Sequence, residues 1–276
     1  MEGYNVNVNK NNPLTSIIIL THNGLRYTRR CINSILTHTK ANYELIIVDN
    51  ASTDRTVKYL QSVQNVRVIA NQHNKGFSGG CNQGLRIASG EYIVLLNNDT
   101  VVTEGWLSRL IAWLESNKQI GIVGPRSNFV LPLQAIPKAP YKSMKKMHDF
   151  AAQWVKGHKN QGFSVDYLSG FCMAFRKELI QHIGGLDERF NPGYFEDTDF
   201  CLRTSIAGKK LWVANDVYIH HYGSSSFKTN RKVHGTAIAE SQKKFFNKWK
   251  INNFNQIKDL VKREQPFNPE RHYVPF

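Results

Sequence analysis

Across residues 15–123, short β-branched runs alternate with segments of helical period, and the strand-like runs end in small polar residues. The spacing predicts strands over 15–20, 44–48, 66–69, 92–96 and 120–123, and helices over 25–36, 54–63 and 106–114. Short apolar strands alternating with helices imply βαβ units. The fold class is therefore α/β, a mostly parallel central sheet with helices on both faces. In such a sheet, ligands bind beyond the carboxyl ends of the strands. That rule directs attention to Thr21-His22-Asn23, Asp49-Asn50-Ala51-Ser52 and Asn97-Asn98-Asp99, which follow three of the strands.

The alternation stops after Pro125. Residues 126–160 are lysine-rich and weakly periodic, and read as an irregular insertion or lid. Order returns over 165–175. A helix is predicted near 198–207, short strands over 211–213 and 217–219, and a basic helix over 236–264 with Phe245, Phe246, Trp249 and Phe254 interleaved. Net charge is +15. A field of that sign attracts nucleic acid, acidic lipid headgroups or phosphorylated small molecules and does not choose among them. Cys31, Cys81, Cys172 and Cys201 are scattered, without the paired spacing of a zinc ribbon, and read as free thiols. No apolar run approaches the ~20 residues of a membrane-spanning helix, and the polar start has no apolar signal core. A soluble, cytoplasmic protein is expected.

Several residues have chemistry worth following. Asp99, on a tight turn after a buried strand, is able to hold a divalent cation together with a diphosphate, or simply to form the turn. The glycine-rich stretch 74–84 opens a helix predicted over 83–88, a place suited to an anionic group. It lacks both the P-loop and the dinucleotide fingerprint. Glu196, Asp197 and Asp199 begin a helix, where an ionised carboxylate serves either as a general base or as an acidic cap. His220-His221 follow a strand and offer a metal ligand.

Five segments in this order resemble glycosyltransferase family 2, of GT-A (Rossmann-like) fold. They are Ser16–Asn23 (SIIILTHN), Glu44–Asp54 (ELIIVDNASTD), Asn74-Lys75-Gly76-Phe77, Leu95–Thr100 (LLNNDT) and Phe195–Arg203 (FEDTDFCLR). The resemblance runs over about 15–227 and is nearest to a rhamnosyltransferase-like branch acting on bacterial surface glycans. It implies a polar segment over 1–14, a catalytic domain over 15–227 and a basic helical extension over 228–276. Within the catalytic domain it implies a nucleotide half (15–125), the insertion (126–160) and an acceptor half (161–227). It implies that Thr21, Asn23, Asp49, Lys75, Gly76, Asn97, Asn98 and Asp99 bind the nucleotide-sugar, with Asp49 reading the base. Asp99 and His220 would hold Mg2+ or Mn2+, with His221 as the alternative in register. Asp197 would be the base, supported by Glu196 and Asp199. The implied donor is dTDP-rhamnose or a UDP-hexose, the acceptor a carbohydrate or lipid-linked hydroxyl, and the transfer inverting. Asn97 departs from the family's usual D-x-D, which implies weaker metal binding. The rival readings are a catalytically silent nucleotide-sugar-binding domain and a basic nucleic-acid-binding protein; no nucleic-acid partner is expected. Lysines and aromatics in the tail allow peripheral contact with an anionic membrane, or packing onto the catalytic domain.

Overall fold

The computed structural model describes residues 2–3, 12–130, 132–136, 139–223 and 231–276. Its strands are β1 (Glu2–Gly3), β2 (Thr15–Thr21), β3 (Tyr43–Asp49), β4 (Val66–Ala70), β5 (Tyr92–Asn97), β6 (Thr100–Val101), β7 (Ile120–Arg126), β8 (Gln161–Val165), β9 (Cys172–Arg176), β10 (Lys210–Tyr218) and β11 (His220–His221). Its helices are α1 (Leu25–His38), α2 (Thr56–Ser62), α3 (Gly76–Ile87), α4 (Trp106–Ser116), α5 (Met144–Gly157), α6 (Lys177–Ile183), α7 (Glu196–Ile206), α8 (Arg231–Trp249), α9 (Ile257–Glu264) and α10 (Pro269–His272).

Nine strands form one sheet in the order β1-β8-β10-β7-β9-β5-β2-β3-β4, and β6 pairs with β11 in a separate ribbon. All strands of the large sheet run one way except β8 and β9, which oppose their neighbours. Alternation along β2 explains why its run reads as continuously apolar. Ile17 and Ile19 face α1 and α4, in a cluster with Cys31, Ile32, Trp106 and Trp113. Ile18 faces the other layer, with Leu85 of α3, Ile180 of α6 and Phe200 of α7. A strand covered on both faces has no polar side to display.

Helix α3 begins at Gly76, not near residue 83 as expected, so the glycine-rich stretch is itself helical. The reason is steric. A Cβ on Gly84 would lie 2.4 Å from Ile18 Cγ2, and one on Gly80 2.2 Å from Leu20 Cδ1. These glycines let the helix backbone approach the sheet.

Residues 126–160 are less irregular than expected, because α5 occupies 144–157. The Ser143 hydroxyl accepts from Lys146 N at 3.3 Å as an N-cap, and Met147 and Ala151 bury against Tyr218 and Val101. The two short strands expected over 211–219 are one, β10. The single helix expected over 236–264 is two, parted where Lys250 takes φ 51° and Asn253 forms a capping box with Gln256. Phe245 and Trp249 of α8 are buried with Phe190, Leu202 and Ile206, so these tail aromatics pack onto the α7 side instead of facing outward. All four cysteines are free and buried, and no helix among the described residues is long and apolar enough to cross a membrane.

Candidate active site

The carboxyl ends of β2, β3 and β5 form one edge of the site. Asp49, the last residue of β3, is fully buried. Its Oδ2 accepts from Ser52 N at 2.9 Å, while Oδ1 is buried without a hydrogen-bond partner among the described residues. A buried acceptor left unmade costs about 1–3 kcal/mol, so the geometry suits a ligand that brings one donor. Beside it, Asn98 Nδ2 donates to Thr21 Oγ1 (3.2 Å) and Thr28 Oγ1 (2.9 Å), which joins the ends of β5 and β2. Asn97 is half-buried, and its side chain has no hydrogen bond among the described residues.

Other expected binders are engaged within the protein. Asn23 Oδ1 accepts from Thr53 N (2.8 Å) and Asp54 N (3.2 Å), and Asn23 N donates to Ser52 Oγ (2.7 Å). Asn23 thus clamps the turn after β3. Asn50 Nδ2 donates to Gly76 O (2.8 Å), and its Oδ1 accepts from Lys75 N (3.2 Å), tying β3 to the start of α3. The first amides of α3 are also taken: Gly76 N by Asn74 Oδ1 and Phe77 N by Pro192 O. Those two donors are unavailable to the anionic group expected there. Gly76 itself has φ +73°, and a Cβ there would meet Asn191 Oδ1 at 2.4 Å. Lys75 is exposed at the rim.

The β6–β11 ribbon brings residue 221 opposite residue 100, and with it His221 to Asp99. His221 Nε2 lies 3.1 Å from Asp99 Oδ1 with both groups buried, yet Nε2 makes no aligned hydrogen bond among the described residues. His221 Nδ1 donates to Phe129 O at 2.8 Å, which fixes the tautomer and, in the neutral ring, turns the Nε2 lone pair toward the carboxylate. Two lone-pair donors 3.1 Å apart match adjacent corners of an octahedron about an ion at ~2.1 Å. The pair therefore fits a divalent cation. Among the described residues no third His, Cys, Asp or Glu joins them, so the remaining positions around such an ion would be filled from outside this set. His220, the first choice from sequence, turns away: its Nδ1 bonds Tyr141 OH at 2.6 Å. Burial and the neighbouring His221 push its pKa down to about 4. In a two-residue strand, adjacent side chains leave on opposite faces, and the ladder register gives Asp99 to His221.

Asp197 occupies the first turn of α7. Its Oδ2 accepts from Tyr167 OH (2.6 Å) and Gly170 N (2.9 Å), and its Oδ1 from Thr198 N (2.7 Å). Burial and the Asp197 charge push the Tyr167 hydroxyl well above its ordinary value, so it stays a donor. Burial, then the adjacent Asp197, push the Glu196 carboxyl well above the usual carboxylate range. Glu196 therefore favours its protonated form, and its Oε2 has no hydrogen-bond partner among the described residues. Asp199 is not at the site. It is fully buried, accepting from Arg203 Nε (2.8 Å), Lys248 Nζ (2.5 Å) and Trp249 Nε1 (2.9 Å), and it anchors α8 to α7. The supporting role expected of it in the site is replaced by a structural one.

Gly170 and Phe171 link the two groups. Gly170 N holds Asp197, and the Phe171 ring stacks on His221 with centroids 5.1 Å apart. Consecutive Cα atoms are only about 3.8 Å apart, so Asp197 and the Asp99–His221 pair flank one dipeptide. Sequence reasoning missed Tyr167, Gly170 and Phe171, as well as Asn128 and Phe129.

A family model described as glycosyl transferase family 2 matches residues 16–184. An Escherichia coli protein named UDP-Glc:alpha-D-GlcNAc-diphosphoundecaprenol beta-1,3-glucosyltransferase WfaP is 35% identical over 220 residues, 77% of this chain and 80% of that protein. An uncharacterized glycosyltransferase of Haemophilus influenzae is 31% identical over 119 residues, 42% of this chain and 37% of that one. The chain spans 25 to 40% of the length of the first three curated relatives it matches. A solved structure of a mannosyltransferase from Pyrobaculum calidifontis, in complex with GDP-Man and Mn2+, superposes with a TM-score of 0.63 at 16% identity, covering 92% of this chain and 70% of that one.

Proposed function

The chain belongs to glycosyltransferase family 2, and on that premise we propose that it transfers a sugar, with inversion, from a uridine or thymidine diphosphate donor to a hydroxyl of a bacterial glycan or lipid-linked acceptor. The fold is GT-A. The observation that carries the proposal is the placement of Asp197 and the Asp99–His221 pair on either side of Gly170–Phe171. A base and a cation site that close suit a single displacement at one carbon.

Each residue has a task. The unpartnered Asp49 Oδ1 accepts the lone N3–H of uracil or thymine. Cytosine has a lone pair at N3 in place of that N–H and carries its donors on the exocyclic N4. Guanine offers a pair of adjacent donors, and one Asp49 Oδ2 lone pair is already taken by Ser52 N, so a base with a single donor is the simpler match. Asn97, with its side chain free, bonds the donor's ribose. Asp99 and His221 would hold Mg2+ or Mn2+, and the bound ion would supply positive charge to offset that growing on the leaving diphosphate. Asp197, oriented by Tyr167 and Gly170, takes the proton of the acceptor hydroxyl as its oxygen attacks. The name of the Escherichia coli relative, with its UDP-Glc donor and diphosphoundecaprenol-linked acceptor, supports a uridine donor and a lipid-linked acceptor. A dTDP-rhamnose donor presents the same base edge.

Calorimetry with UDP, dTDP, GDP and CDP, with and without Mn2+, tests this. UDP or dTDP is expected to bind, more tightly with Mn2+, and to lose that gain in Asp99→Ala and most of its affinity in Asp49→Asn. Folded protein that binds none of the four with Mn2+ present would remove the donor site from the proposal.

A further inference from the structure

We propose that Asn128 is a positioning residue that sets His221 in its metal-binding pose. The inference rests on the reading of Asp99 and His221 as the cation pair. One edge of His221 is spoken for by the β6 ladder. On the other, Asn128 Nδ2 donates to His221 O (3.0 Å) and Asn128 Oδ1 accepts from His221 N (2.9 Å). The side-chain amide thus copies the two-way exchange of a hydrogen-bonded pair in an antiparallel sheet. The next residue, Phe129, takes the His221 Nδ1 proton on its carbonyl. Two consecutive residues after β7 therefore fix the main chain, the ring tautomer and the ring direction of His221.

The arrangement needs space on its far side. Gly223 has φ +70°, and a Cβ there would lie 2.1 Å from Phe129 Cδ1. A side chain at 223 would displace Phe129 and with it the carbonyl that holds the ring. Groups that hold a metal-binding histidine by its second nitrogen set its basicity and direction, and their loss costs about 10–100-fold in metal affinity. Asn128 touches neither the cation pair's Nε2 nor Asp99, so its effect passes through His221.

The decisive variant is Asn128→Asp. It keeps the shape and the acceptor for His221 N but replaces the Nδ2 donor with an oxygen facing the His221 carbonyl. Mn2+ binding is read by the electron paramagnetic resonance signal of the free ion, in the presence of UDP and separately of dTDP, with melting temperature as the check on folding. The expected result is Mn2+ affinity lower by about 10-fold or more with nucleotide binding in the absence of metal unchanged. Transfer activity should recover at high Mn2+, a shift in the Mn2+ requirement without loss of kcat. Asn128→Ser, too short to reach both main-chain groups, gives the same readout if the aspartate variant does not fold. Mn2+ binding equal to the parent in a folded Asn128 variant overturns the inference and leaves the cation pair standing. Parent protein that binds no Mn2+ overturns the cation pair itself, and the inference with it.

Discussion

Replacing Asp199 separates a structural carboxylate from a catalytic one. The Asp199 and Arg203 side chains are both 0% exposed. Arg203 Nη1 and Nη2 go to the carbonyls of Ile183 and Gly185, so Asp199 is its only ion-pair partner among the described residues. Lys248 has a second partner in Asp187 at 2.7 Å. Asp199→Asn therefore strands one buried cation, not two. Breaking one side of a buried pair costs about 3–5 kcal/mol. For a chain of this size each kcal/mol moves the melting temperature by about 2–4 °C, so a fall of roughly 10 °C is expected. Below the new melting temperature, kcat and acceptor KM should hold. The double variant Asp199→Leu/Arg203→Met removes both charges and should recover part of the loss, which a double-mutant cycle measures. An Asp199→Asn protein that melts within about 2 °C of the parent while its acceptor KM rises would refute the structural assignment and return Asp199 to the acceptor site.

Asp197→Asn should lower kcat by about 10²–10⁴-fold with nucleotide affinity unchanged, measured by transfer assay beside calorimetry; unaltered turnover would exclude it as the base. Gly84→Ala gains about 1 kcal/mol of helix propensity but forces a methyl against the buried Ile18, an overpacking cost of about 1–3 kcal/mol. Urea unfolding should show net destabilisation there and, in contrast, stabilisation of up to about 1 kcal/mol for Gly157→Ala in α5, where a new Cβ meets nothing within 4 Å. Burial works to raise the Asp187 carboxyl, but its bonds to Arg189 and the Lys248 charge prevail and hold it well below the usual range. A carboxyl depressed in the fold contributes stability above its unfolded value, about 3.9, and loses it as pH falls further. The melting temperature should drop between pH 5 and pH 2, and less steeply in Asp187→Asn.

The parallel half was legible because burial on both faces writes strands as unbroken apolar runs, and the residues ending β2, β3 and β5 follow from that. The missed residues share a cause. β9 runs against both neighbours, so it brings its amino end to the site edge, and Tyr167, Gly170 and Phe171 precede it in sequence. A search beyond carboxyl ends passes over them. The choice between His220 and His221 depends on the face each takes in a two-residue ribbon, and composition carries no such register. Nor could sequence tell helical glycines that admit close packing from a loop that cradles an anion; the difference lies in Ile18 and Leu20 across the gap. Lys248, in the basic tail, is a half-buried counter-ion to the buried Asp187 and Asp199.

The sheet continues through both halves of the site, from β4 across β5, β9 and β7 to β8, without a break in its ladder. Such a frame has no seam on which a clamshell could turn. Parting the sheet at β9 would break its ladder to β5, or its two-pair ladder to β7, and would open the apolar layers packed on both faces. Substrate entry and product exit are thereby left to side chains and connecting segments, whose motions run from picoseconds to microseconds. If release limits turnover, its rate should follow the residues that rim the sheet's edge, and cross-linking the two halves should leave it nearly unchanged.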